Sequence, residues 1–139
     1  MTVTTMTSDF AALSVGLEVS NRRLVLDTAL VAGYVDAVGD RSGIFDPGAK
    51  RPAVPPMAVA ALSLRGVLDD LGIPEGTVHA GQELEFSGVV HVEDALTCKA
   101  TVVQNSVRKG SRFVELRLSV EAGGGREIMS GKSRLVMPA

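Results

Sequence analysis

Apolar positions along this chain recur with two different periods, and the change from one to the other falls near its middle. Residues 15–26, VGLEVSNRRLVL, predict a short strand and its continuation. The spacing then becomes helical. Leu30, Val31, Tyr34, Val35 and Val38 fall on one side of a helix predicted over Thr28–Val38, with Asp27 ahead of it as a capping side chain. The second predicted helix, PMAVAALSLRGVLDDL, covers Pro56–Leu71. It has proline at its start, where a missing N–H costs least, and Gly72 and Pro74 beyond its end. Met57, Val59, Leu62, Leu64, Val67, Leu68 and Leu71 occupy much of its circumference, the pattern of a helix buried on most sides. Gly66 within it leaves room for a neighbouring backbone to come close.

Beyond residue 75 the period drops to two. Leu84 and Phe86 alternate with Glu83 and Glu85. Residues 96–109 form a second run, closed by the turn residues Gly110 and Ser111. In residues 113–121, Val114, Leu116, Leu118 and Val120 share one face, while Glu115, Arg117, Ser119 and Glu121 share the other. A glycine turn at residues 122–125 leads to a last strand, REIMSGKSRLVM. Such alternation describes an antiparallel sheet with one covered face. A buried helix packed on it gives the α+β class.

Composition narrows the class. The 139 residues fit one domain, with 45% apolar and 22% charged residues. Residues 1–14 are expected to be a loose lead-in and residues 15–139 the domain. Four Phe, one Tyr and no Trp supply few stacking platforms for nucleic acid. A net charge of −2 without a Lys/Arg run offers no footprint for nucleic acid or an anionic membrane. Cys98 is alone, so no internal disulfide and no cysteine-rich metal cluster can form. No His, Asp and Glu cluster has metal-ligand spacing. The N-terminal residues carry no signal-like region, and no apolar run approaches the roughly 20 residues needed to span a bilayer. The expectation is a cytoplasmic globular protein.

The long loop of residues 40–54, rich in glycine and proline, is where chemistry is expected, because structureless loops of this length are more often functional than idle. It begins with GDRSGIF, residues 39–45, in which Asp40 could exchange a proton. Three segments carry a resemblance: GYVDAVGD (residues 33–40), PPMAVAALSLRGVLDDLGIP (residues 55–74) and VHAGQELEF (Val78–Phe86). With SGKSRLVMP at residues 130–138, they resemble the MaoC-like dehydratases and (R)-specific enoyl-CoA hydratases of the hot-dog fold. The branch they look most like is that of the N-terminal dehydratase domain. The likeness runs over residues 15–138.

That resemblance implies a single hot-dog domain, an antiparallel sheet wrapped around one long central helix. It implies hydration or dehydration of an acyl thioester of coenzyme A or acyl carrier protein, a lyase reaction that needs no cofactor and no metal. It also implies a dyad of Asp and His with four residues between them and a backbone N–H at the head of the central helix. There the helix dipole and an aligned donor meet the thioester oxygen. Asp40 stands at the family's Asp position. The histidine position holds Phe45, which transfers no proton. The glycine that heads the central helix is replaced by Pro56, preceded by Pro55, and proline has no N–H to offer. If the alignment slips by one residue, Met57 supplies the donor.

Each candidate also has a plain reading. Asp40, following a helix, is equally a turn or capping residue. His79 is the possible substitute base, although lone histidines are mostly structural; His91 is expected at an exposed turn. Cys98 reads as a small buried residue. Asp69 and Asp70 read as the solvated end of the central helix. Arg22–Arg23 and Arg108–Lys109 read as surface cations, or as contacts for nucleotide phosphates. Phe45, Met57, Val59 and Leu62 suit the wall of an acyl tunnel.

The leading expectation is a non-catalytic or weakly active hydratase/dehydratase-family subunit, paired in a homo- or heterodimer with a hot-dog chain that carries the dyad. An acyl-thioester binding homodimer without chemistry, and an active enzyme using Asp40 with His79 or a water, remain alternatives.

Overall fold

The structure, a computed structural model, describes residues 9–139. Its elements are β1 (Glu18–Val25), α1 (Thr28–Val38), α2 (Pro56–Leu71), β2 (Val78–Phe86), β3 (Ala95–Arg108), β4 (Ser111–Ala122) and β5 (Arg126–Pro138). The five strands form one sheet in the order β1-β3-β4-β5-β2, and every pairing is antiparallel. Among the described residues, no helix is long and apolar enough to cross a membrane.

Both helices start and stop where their local chemistry requires. The Asp27 carboxylate accepts the N–H of Leu30 at 2.8 Å, satisfying one of the free donors of the first turn of α1. Gly39 ends α1 with a φ of 66°, and Gly72 ends α2 with a φ of 61°; both are left-handed, the conformation glycine enters at least cost. The β3–β4 hairpin turns through Lys109 and Gly110, whose φ values of 52° and 78° fit the two-residue turn that matches strand twist.

The core lies between the sheet and α2. Val114, Leu116, Leu118 and Val120 of β4 all point inward, as their alternation predicts. Leu96, Cys98, Ala100 and Val102 of β3 do the same. Ala58, Val59, Ser63, Val67 and Leu71 form the covered face of α2, whereas α1 buries only Val31. The helix expected to be the more buried of the two is so. It is not buried all round: Met57 is 50% exposed, and Leu64 and Leu68 are half-buried. One sheet covers one side of a cylinder, so the remaining apolar residues of α2 stay open in the single chain.

Three expectations need correction. Residues 1–14 were expected to be loose; residues 1–8 lie outside the described residues, but from Asp9 onward the chain is tied down. Phe10 and Leu13 are buried, and Asn105 donates to both of their carbonyl oxygens at 2.7 and 2.9 Å. Asp70 was placed at a solvated helix end. It is instead gripped by Arg22 from β1, whose Nε and Nη2 donate to the two carboxylate oxygens at 2.9 and 2.6 Å. The buried Ser20 hydroxyl donates to the same carboxylate at 2.6 Å. The stem of Arg22 crosses α2 at Gly66, where an added Cβ would lie 3.2 Å from its Cδ. Gly66 therefore admits a side chain rather than a backbone.

The Arg22 guanidinium, with burial opposing and Ser20 assisting, holds the Asp70 carboxyl below its usual range. A carboxylate depressed in the folded state stabilises the fold above its unfolded pKa of about 3.9, and the contribution is lost as pH falls through the folded value. Asp70→Asn should therefore lower stability at pH 7 by about 1–2 kcal/mol and flatten the acid limb of the stability curve, as read by urea denaturation at several pH values. An unchanged midpoint at pH 7 would show that the pair contributes nothing.

Candidate functional site

The loop that follows α1 is built from small side-chain-to-backbone turns. The Gly39 N–H reaches back to the carbonyls of Val35 and Asp36, and the Asp40 N–H donates to the Val35 carbonyl at 3.0 Å. Asp40 is thereby fixed one step beyond the helix end. Its carboxylate accepts the Ser42 N–H at 2.8 Å, and the Ser42 hydroxyl accepts the Ile44 N–H at 3.3 Å. Asp46 repeats the device with the Gly48 N–H at 3.0 Å. Asp40 thus takes the turn-forming role that Asp readily fills. The Ser42 amide, then the Ser42 hydroxyl, hold its carboxyl below the usual aspartate range, against a smaller opposing effect of burial. That is the wrong direction for a group meant to exchange protons near neutral pH.

Phe45 turns its ring towards the core and packs there partly buried. The loop then runs to α2 along the segment at residues 90–92. The Val54 N–H donates to the Val90 carbonyl at 2.8 Å, and the Val92 N–H donates to the Pro52 carbonyl at 2.9 Å. His91 is half-buried here rather than exposed, with its N–H donating to Asp94 at 2.9 Å.

At the head of α2 the donors are nearly spent. Pro55 and Pro56 have no N–H, and the N–H groups of Ala58 and Val59 both turn back to the Pro55 carbonyl, at 2.9 and 3.3 Å. Among the described residues, the Met57 N–H is the amide of this first turn left without a partner. It sits at the positive end of the helix dipole.

The four apolar tunnel candidates do not converge. Val59 is in the core, Met57 lies on the open side of α2, Leu62 lines a separate cavity beside β1, and Phe45 packs on the core from the loop. Helical spacing sets Met57 apart, two and five positions from Val59 and Leu62, while Phe45 is not on the helix.

His79 lies on β2, an edge strand that pairs, among the described residues, with β5 alone. Its Nε2 is 2.9 Å from the hydroxyl of Ser133, a fully buried residue of β5. The histidine overlooks a groove of about 380 Å³ along the open face of α2, lined also by Met57, Ala61, Leu64, Leu68 and Gln82. His79 and the residue with the free amide therefore share one groove, and Asp40 does not line it. Ser133 was not singled out from the sequence. Its signal is a lone hydroxyl in an otherwise apolar inward series with Leu135 and Met137. Among the described residues no group of His, Cys, Asp and Glu could hold a metal ion. Arg108 stacks over the Phe113 ring at 5.0 Å, and Arg22 is taken by Asp70, so neither cationic pair is wholly free.

One central helix on a five-stranded antiparallel sheet, with a long loop leading into the helix, is the hot-dog architecture. Solved structures of that class superpose on most of the chain. The (R)-hydratase from A. caviae involved in PHA biosynthesis is 25% identical, with a TM-score of 0.75 over 91% of this chain and 98% of that one. The HadBC 3R-hydroxyacyl-ACP dehydratase complex from Mycobacterium tuberculosis shares the fold at 18% identity, TM-score 0.72, covering 94% of this chain and 98% of its own. The ChsH1-ChsH2 complex from the same organism does so at 16% identity, TM-score 0.70, covering 89% and 98%. The family described as "FAS1-like, dehydratase domain region" matches residues 14–130, so the chain belongs to this hot-dog dehydratase family. Among curated protein sequences, none matches the chain.

A carboxyl held by the Ser42 donors should titrate below the ordinary aspartate value of about 3.9. Carbon-detected NMR titration of Asp40 is expected to give such a depressed midpoint, and a midpoint near neutrality would restore Asp40 as a proton carrier.

Proposed function

We propose that this chain is a non-catalytic or weakly active subunit of an acyl-thioester hydratase or dehydratase, and that it pairs with a hot-dog subunit carrying the Asp/His dyad. Phe45 carries this reading. A ring packed on the core stands where the family places its histidine, while Asp40, its would-be partner, is spent on the Ser42 turn. The substrate would be an acyl group on coenzyme A or acyl carrier protein.

Two features support pairing. The free edge of β2 exposes a row of backbone groups of the kind proteins normally pair or protect. Beside it runs the open apolar face of α2, with Met57, Leu64 and Leu68. The similar HadBC and ChsH1-ChsH2 structures are complexes of two named chains, which favours a second hot-dog subunit here.

A second reading, weak intrinsic activity, is favoured by the shared groove of His79 and Met57. There the Met57 N–H would meet the thioester oxygen. The His79 ring would take a proton from water as its oxygen bonds to the β-carbon, and return a proton to the α-carbon.

Loss of a positioned acid–base group typically costs about 10²–10⁴ in rate, and loss of an oxyanion donor roughly 10²–10³. The test is crotonyl-CoA hydration by the purified chain, by Asp40→Asn and His79→Ala, and by the chain with a partner captured from its native source. Negligible turnover by the chain and by both variants is expected, with activity appearing in the complex. Turnover lost on His79→Ala alone would favour the second reading, and robust turnover abolished by Asp40→Asn would contradict both.

A further inference from the structure

The face of the sheet turned away from α2 carries a compact block of cations and hydroxyls. Strand pairing sets Thr101 of β3, Arg117 of β4 and Lys132 of β5 in one cross-strand row. The adjacent row on the same face holds Lys99, Ser119 and Ser130. Their neighbours in sequence, among them Ala100, Leu116, Leu118 and Ser133, are buried, so alternation turns all six outward. Among the described residues Lys99, Arg117 and Lys132 make no ion pair. The hydroxyl bonds of the fold lie elsewhere, leaving those of Thr101, Ser119 and Ser130 open among the described residues. Arg117 and Lys132 stand directly opposite each other, a like-charge pair that costs a sheet stability. Arg134, two positions along β5 from Lys132, shows the usual solution, since it is bound by both Glu83 and Glu115. A depression of about 200 Å³ brings Arg117, Ser130 and Lys132 together with Glu83 and Glu85 of β2. Glu83 is neutralised by Arg134, which leaves Glu85 as the free carboxylate of its lining.

We infer that this block binds a small phosphate monoester, its phosphoryl oxygens held by Arg117, Lys132 and the Ser130 hydroxyl, with Lys99 adding charge from the adjacent row. A guanidinium offers a phosphate paired N–H groups, and an ammonium meets it as a point charge. Neighbouring strands lie about 4.8 Å apart, so one phosphoryl group can reach side chains of both β4 and β5. The surroundings decide the size of the anion. Glu18 lies beside Thr101, Glu83 beside Lys132 and Glu85 beside Ser130, while Glu115 and Glu121 stand further along β4. Nucleic acid or an anionic bilayer would lie across that ring of carboxylates, whereas a compact dianion meets the block alone. Its binding would also relieve the repulsion between Arg117 and Lys132. The inference is independent of the acyl-thioester reading, because the block and α2 lie on opposite faces of the sheet.

Amide NMR of the full chain, titrated with glycerol 3-phosphate at about 0.15 M salt, tests it. Saturable shifts centred on residues 99–101, 117–119 and 130–132 are expected, and none with glycerol. Arg117→Gln and Lys132→Gln should each weaken binding by about tenfold, the loss typical of a charged hydrogen bond. Each should also raise the thermal midpoint of the ligand-free chain in low salt, because it removes the like-charge pair. Glu85→Gln should tighten binding, since it removes a negative charge beside the anion. No saturable shift, equal shifts with glycerol, shifts centred on other residues, or an affinity unmoved by both cation variants would overturn the inference. So would tighter binding of a single-stranded oligonucleotide or of phosphatidylglycerol vesicles at the same residues. The ligand series and the location of the shifts need no variant, so the result stands even if a substitution perturbs folding.

Discussion

Helix α2 carries more apolar surface than one sheet can cover, and the rest of the structure follows from that mismatch. Ala58, Val59, Ser63, Val67 and Leu71 are sealed against the sheet, with the helix nearest β1 and β3. Burying side chains such as Val59, Val67 and Leu71 stabilises the domain by roughly 1.5–3 kcal/mol each. The opposite face has no such cover, and it lies beside β2, one of the two edge strands of the sheet. Cross-ties hold this asymmetric packing in register. Arg22 and Ser20 of β1 clamp Asp70 near the far end of α2, and the bonds between residues 52–54 and 90–92 fix its near end.

The same helix governs what the site can do. A helix head offers unpaired N–H groups and a positive dipole end, which is the most economical place to stabilise a thioester oxygen. Here Pro55 and Pro56 remove two of those groups and the Pro55 carbonyl recaptures that of Ala58, leaving Met57. The loop ahead of the helix is held by local turns: Asp40 and Asp46 each hold a backbone N–H two residues on, and Phe45 packs inward. Beside α2 lie an apolar groove with His79 at its side and, on the other flank, a second cavity against β1 and α1.

Local features of this fold were legible in the sequence, and long-range ones were not. Both helices begin and end where expected because their stop signals, Asp27, Gly39, Pro56 and Gly72, act on adjacent residues. The inward face of β4 follows from strict alternation in the same way. By contrast, the Arg22–Asp70 pair joins residues 48 apart, and nothing in the spacing around either announces the other. Phe10 and Leu13 looked loose because the carbonyl acceptors that anchor them are met by Asn105, more than 90 residues away. The tunnel candidates are apolar, but helical geometry turns Met57 away from Val59 and Leu62. The family resemblance directed attention to Asp40, Phe45 and Pro56. It could not show that Asp40 is bound into a turn or that Ser133 lies behind His79.

If one sheet leaves α2 half covered and the outer edge of β2 open, the chain should not persist alone where it is made. The direct measurement is the native mass of the protein isolated from its own source, by light scattering or native mass spectrometry at micromolar concentration. The account predicts a particle heavier than the 14.5 kDa single chain by at least one further hot-dog chain, identical or different. A stable 14.5 kDa species, with nothing bound and the β2 amides open to rapid hydrogen exchange, would contradict it.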